Sequence, residues 1–218
     1  MTPGVIWVSS RISHLPKPRD DIPALTPEKF CDWYENTHIQ EVTALPGVPR
    51  AARYEAIRLN GKRKTLSDEA PWLTIYEMPD IDYRMTEEFC GLDGQRAPRD
   101  DLLKGIFEQA RFDTRFYEHL DAGSSASAFN AAKFIISLGS DDIAGADFKG
   151  IRRVRRFMVA AGTTLEHFKR RDALGEGQVR RELALIEFED EADVENLREF
   201  IQERNHDEIG CYKLKQVY

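Results

Sequence analysis

The chain has 218 residues, 41% of them hydrophobic and 32% charged, with a formal net charge of -7, the profile of a globular protein of one large domain or two small ones. Its acidic balance argues against general affinity for nucleic acid or an anionic membrane, and no apolar run reaches the length of a membrane span or of a signal peptide's core. Cys31, Cys90 and Cys211 are too few and too scattered for a disulfide framework or a metal site, so a reducing, cytoplasmic setting is expected.

In chain order, Gly4 to Ile12 reads as a first strand, rich in β-branched and aromatic residues. A proline-rich loop leads to Leu25, after which Thr26 is placed to cap a helix with Pro27 at its first position. Phe30, Tyr34, His38 and Val42 then recur every four residues, flanked by Trp33 and Leu45, which gives that helix one buried face. Leu45-Pro46-Gly47 stops it. Ala51 to Leu59 is a second strand closed by the turn signal Asn60-Gly61, and Trp72 to Met78 a third. Residues 84–111 read as mainly helical, interrupted around Gly91 to Pro98, and Thr114 to Leu120 as a fourth strand. The order β-α-β-β-α-β is the ferredoxin-like plan.

Ala122 to Ala128 is small and polar throughout and reads as a linker. Beyond it the pattern restarts: strands at 133–138, 152–160, 183–189 and 209–217, an amphipathic helix at 163–174, and a helix at 193–204. Gly47 to Tyr54 sets against Gly150 to Phe157 with a glycine, two arginines and an aromatic in register, and Leu73 to Met78 sets against Leu183 to Phe188. The expected fold is therefore α+β, two tandem ferredoxin-like repeats forming one pseudo-dimeric α+β barrel. Residues 1–121 make the first repeat, with the site; 122–128 the linker; and 129–218 a second, degenerate repeat. The second half has no histidine between its first two strands, so the first half should carry the chemistry.

His38, in the middle of the apolar stripe, is the leading candidate, because a buried imidazole can move protons near neutral pH. Two readings stand beside each other: a core histidine held by one hydrogen bond, and a catalytic acid-base group. Alternation places Trp7 and Ser9 with Arg11 on one strand face, Trp72, Thr74 and Tyr76 on another, and Tyr117 with Arg115 and His119 on a third. Facing the interior, they would wall a pocket with aromatic surfaces and a few polar groups, although Arg11 and His119 suit the solvent at the barrel ends better. Tyr34, Tyr54 and Tyr76 are candidate partners of His38, and Trp33 and Tyr34 line its helix. Arg53 suits either a bound carboxylate or an ion pair with Glu55 or Glu77. No nucleotide-binding glycine loop and no serine-nucleophile elbow occurs. No cofactor is therefore expected.

Trp33-Tyr34, His38, Leu45-Pro46-Gly47 and Arg53-Tyr54 together resemble the EthD-like branch of the dimeric α+β barrel superfamily, and the doubling resembles its tandem fungal type. The match covers residues 4–120 by motif and 130–218 by topology alone. The resemblance implies a pocket between sheet and helix for a small hydrophobic or aromatic molecule, with His38 at the position of the family's helix histidine. Haem-binding members of the superfamily need a histidine on a later helix, and Met85 to Phe112 contains none. The expected function is a cofactor-independent lyase or isomerase (cyclase, dehydratase or decarboxylase) on an aromatic or polyketide-like substrate of secondary metabolism. Its rivals are a cofactor-free monooxygenase on a phenol or anthrone, and a pocket protein that binds or shapes a reactive molecule without acid-base chemistry. The expected assembly is a monomer acting as a pseudo-dimer, or a homodimer, with no nucleic-acid or membrane partner.

Overall fold

β1 (Gly4–Ile12) opens the chain where its β-branched residues call for a strand. The computed structural model describes residues 1–14, 23–57, 65–92, 101–120, 130–139, 149–172, 182–196 and 209–218. The Thr26 hydroxyl accepts the Lys29 N–H at 3.3 Å and starts α1 (Pro27–Trp33), which passes through a π-helical turn, Tyr34–His38, into α2 (Ile39–Thr43). β2 (Ala51–Ala56) follows, then α3 (Leu66–Glu69), started by a reciprocal Thr65–Asp68 cap, and β3 (Trp72–Met78). α4 (Glu87–Gly91) and α5 (Asp101–Gln109) lead to β4 (Ala110–His119). The rest comprises β5 (Phe134–Gly139), β6 (Ile151–Glu166), β7 (Lys169–Asp172), β8 (Glu182–Phe188), α6 (Glu191–Asn196) and β9 (Gly210–Val217).

Every pairing is antiparallel, and the strands lie in the order β4-β1-β3-β2-β9-β5-β8-β6. Because β6 also pairs with β4, from Arg111 opposite Glu166 to His119 opposite Phe157, these eight strands close on themselves. β7 extends β6 as a hairpin outside the ring. The result is an α+β protein with a barrel-like antiparallel sheet and few helices, and closure leaves those eight strands without an open edge.

Period-two alternation divides the apolar residues between two layers. Val5, Trp7, Ala52, Tyr54, Leu73, Ile75, Ile135, Phe157, Leu185 and Tyr212 fill the barrel. Ile6, Val8, Ala51, Tyr76, Met78 and Phe112 point outward, under Phe30, Trp33, Tyr34, Ile39 and Val42 of the helix. A third cluster, including Ile136, Ile186, Phe188 and Cys211, lies with Val194 of α6. Both faces of the first-half strands are therefore buried.

Three sequence expectations need correction. The helix expected at 163–174 does not form: β6 runs on to Glu166, turns at His167 and Phe168, and returns as β7. Both turn residues have positive φ (50° and 60°), the hairpin geometry that usually calls for Asn-Gly. Tertiary contacts hold it: Phe168 meets Phe107 edge-on at 6.0 Å, and His167 Nδ1 lies 2.7 Å from the Glu108 carbonyl. β4 starts at Ala110, four residues earlier than expected, because Ala110 to Asp113 pair with Ile12 to Ser9. The 193–204 helix begins at Glu191, and its later part lies outside the described residues, as do the linker and the tip of the second strand.

Gly47 in the Leu-Pro-Gly stop has a packing reason. A Cβ there would fall within the Tyr83 ring, which the hydroxyl anchors by donating to Glu88 at 2.6 Å. Gly47→Ala is expected to cost about 1–3 kcal/mol by overpacking, read as a lowered urea midpoint at unchanged slope.

Candidate functional site: His38 and Arg53 between helix and sheet

The helix is held at its entry by Gln109, whose side chain accepts the Leu25 N–H and donates to the Pro23 carbonyl, both at 3.0 Å. In the π-helical turn the Ile39 N–H bonds Tyr34 O, one residue further back than in an α-helix, and the Gln40 side-chain Nε2 donates to Glu35 O at 3.5 Å. Such turns often mark functional positions. This one sets His38 against the two aromatics before it. Its ring stacks on Trp33 (5.1 Å, 18° between planes) and meets Tyr34 edge-on at 5.1 Å. His38 is half-buried, and among the described residues no hydrogen bond reaches either ring nitrogen.

The sheet beneath is built in rows. Ala51 pairs with Tyr76 on β3 and exchanges both backbone hydrogen bonds with Tyr218 just after β9, at 2.8 and 3.1 Å. Paired residues point to the same face, so two tyrosines flank a single methyl. Two residues on, Arg53 lies between Thr74 and Gln216 on that face. Its guanidinium sits 4.4 Å over the Tyr34 ring, and Nη1 donates to Thr74 Oγ1 at 3.0 Å. Nε is 3.5 Å from Glu35 Oε1 without forming a hydrogen bond. The Tyr76 hydroxyl donates to that of Tyr34 at a long 3.5 Å.

Arg53 is fully buried, yet its Nε and Nη2 have no hydrogen-bond partner among the described residues, and neither does the buried hydroxyl of Tyr218. Each such group costs about 1–3 kcal/mol, more for a charged one, so three in one place mark a site whose polarity the protein alone leaves unmatched.

Burial, reinforced by the Arg53 charge, pushes the His38 imidazole down to about 4, so at neutral pH it is an uncharged base. Burial first, then Tyr34, raises the Tyr76 phenol, keeping it a proton donor. Burial and then the Glu35 carboxylate raise the Tyr218 phenol. Glu35 itself is held by Lys215 at 2.9 Å, and Lys215 also reaches Glu55 at 3.0 Å.

The structure thus brings His38, Trp33, Tyr34, Arg53, Thr74 and Tyr76 together, with Trp72 beside them against Phe30 at 4.8 Å. Arg53 pairs with neither Glu55 nor Glu77. Trp7, Ser9, Tyr54 and Tyr117 are not part of this cluster. Trp7 meets Tyr117 edge-on at 6.5 Å inside the barrel, on the other face of the sheet, and Ser9 alternates with Trp7 toward that side. Tyr54 is there too, donating to Ala132 O at 3.3 Å, so the sheet separates it from His38. Near it lies a second buried charge cluster. Glu187, fully buried, accepts two 3.0 Å hydrogen bonds from Arg153 and a 2.6 Å ion pair from Arg155. Sequence reasoning missed Tyr218, Glu35 and Lys215. Tyr218 and Lys215 join the site through the pairing of β2 with β9, which no local pattern reveals.

No protein-family model and no curated protein matches the sequence. Among solved structures, a chlorite dismutase-like protein aligns over 99% of this chain and 96% of its own, at TM-score 0.54 and 10% identity. The chain has an α+β barrel fold. An anthrone oxidase-like protein aligns over 99% and 92%, at TM-score 0.49 and 10% identity. No helix among the described residues is long and apolar enough to cross a membrane.

Proposed function

We propose that the chain is a cofactor-independent enzyme that moves a proton on a small aromatic or polyketide-like molecule, with His38 as base. One observation carries this reading: a half-buried imidazole with no hydrogen bond on either ring nitrogen among the described residues shares the Tyr34 ring with a buried guanidinium that has unused donors. In the forward step His38 takes a proton from carbon next to a carbonyl, and Arg53 with the Tyr34–Tyr76 hydroxyl pair stabilises the enolate oxygen. Return of the proton at another position completes an isomerisation. Expulsion of a β-hydroxyl as water from that enolate gives a dehydratase; in a decarboxylase, loss of carbon dioxide from a β-keto acid itself forms the enolate, which Arg53 and the tyrosines hold until its carbon takes up a proton. Trp33, Trp72 and Phe30 supply apolar surface for the ligand's body.

The chain is read as two ferredoxin-like repeats, residues 1–121 and 129–218, of EthD-like type, working as a pseudo-dimer within one polypeptide. The strand orders β4-β1-β3-β2 and β9-β5-β8-β6 support it, since, with the β7 hairpin arm set aside, each is the fourth-first-third-second order of its own half. The test is deuterium wash-in from D2O into a panel of aryl ketones and aryl β-keto acids, followed by proton NMR. Exchange or turnover that requires His38 supports the reading. Oxygen consumption on phenols or anthrones instead, unaffected by His38→Gln, would replace it with the monooxygenase alternative.

A further inference from the structure

The unmatched polar atoms at the site are all donors on the sheet side, and they come from both halves of the chain: Arg53 Nε and Nη2 on β2, and the Tyr218 hydroxyl just after β9. We propose that the ligand carries an anionic oxygen, a carboxylate or enolate on an aromatic body, held jointly by Arg53 Nη2 and Tyr218. The proposal rests on reading this cluster as a ligand site, though not on His38 moving a proton.

Four features point to an anion rather than a neutral polar group. Arg53 is fully buried, so its charge is not dispersed by water. The nearest carboxylate, Glu35, is 3.5 Å from Nε without a hydrogen bond and is engaged by Lys215 at 2.9 Å, so it leaves Nη2 untouched. Thr74 uses Nη1 alone. Ala51, paired with both Tyr76 and Tyr218, places only a methyl between the two tyrosines on this face. The aromatic requirement follows from the walls: the Tyr34 ring lies under the guanidinium at 4.4 Å, with Trp33 and His38 stacked beside it. Tyr218 makes the second half a donor to the site rather than only a wall.

The test uses benzoate against its neutral isostere benzamide, titrated into the full chain at pH 7 and followed by calorimetry and by tryptophan fluorescence, which Trp33 should report. Benzoate is expected to bind about tenfold or more tightly than benzamide, the range of a charge-assisted hydrogen bond. Tyr218→Phe should weaken benzoate roughly threefold to tenfold and leave benzamide unchanged. Arg53→Gln, if folded, should abolish the preference; Tyr218→Phe, which removes one oxygen, keeps the test decisive if it does not fold. Equal affinities for the two probes, or a Tyr218→Phe variant indistinguishable from wild type, overturns the proposal. A benzoate preference retained in His38→Gln, with wash-in that never depended on His38, leaves this proposal standing and removes the proton-transfer reading. His38-dependent wash-in with no benzoate preference does the reverse.

Discussion

His38→Gln is expected to lower turnover, or deuterium wash-in, by about 10²- to 10⁴-fold, the span of a lost general base, while the urea unfolding curve keeps its slope. Glutamine approximates the shape and polarity of imidazole but takes up no proton. The half-buried position of His38 and its stack on Trp33 leave the helix with its main contacts, Phe30, Tyr34, Ile39 and Val42, intact. The loss should therefore fall on turnover far more than on binding. If His38→Gln retains activity within about twofold of wild type, His38 is a core residue and the site works by shape or by Arg53 alone.

Glu187→Ala carries the largest expected effect on stability. Glu187 is fully buried inside the barrel and joins Arg153 and Arg155 of β6 to β8. Removing it leaves two guanidinium groups facing each other, the nearer of them largely enclosed, with their carboxylate gone. Breaking a buried pair in this way costs about 3–5 kcal/mol, measurable as a shift in urea midpoint. Replacing the whole cluster by Arg153→Met, Arg155→Met and Glu187→Leu should cost much less, because no charge is then stranded. A single Glu187→Ala loss below about 1 kcal/mol would show that water reaches the cluster and screens it.

Legibility in the sequence followed the range of the interactions. β1 and β3 were readable to the residue from their β-branched and aromatic runs, and the start of α1 from Thr26-Pro27, because each is decided within a few neighbours. The 167–168 hairpin was not: His167 and Phe168 adopt positive φ only because Glu108 and Phe107 hold them, and neither residue signals a turn. Alternation grouped Trp7 with Ser9 and Trp72 with Thr74 and Tyr76 correctly, but with both sheet faces buried it gives no sign of which face meets the helix. That is why the sequence offers Tyr54 as a partner of His38, and Tyr117 as a wall of the same pocket, although the sheet divides both from the imidazole. The four-residue stripe located His38, while the π-helical turn that orients it is a backbone shift without a residue signature.

The most direct measurement is a proton NMR titration of the His38 imidazole, assigned by comparison with His38→Gln. The expected midpoint is about 4, against 6.5 for an ordinary histidine, with the ring uncharged throughout the neutral range. The unfolded chain then binds more protons than the folded one between these values. His38 should accordingly draw stability away as pH falls from about 6.5 toward 4, and have no effect above that window. Bound benzoate should move the midpoint upward, since an anion favours imidazolium. A midpoint at or above 6.5 would mean a solvated, ordinary histidine and would contradict a desolvated base at the centre of the site.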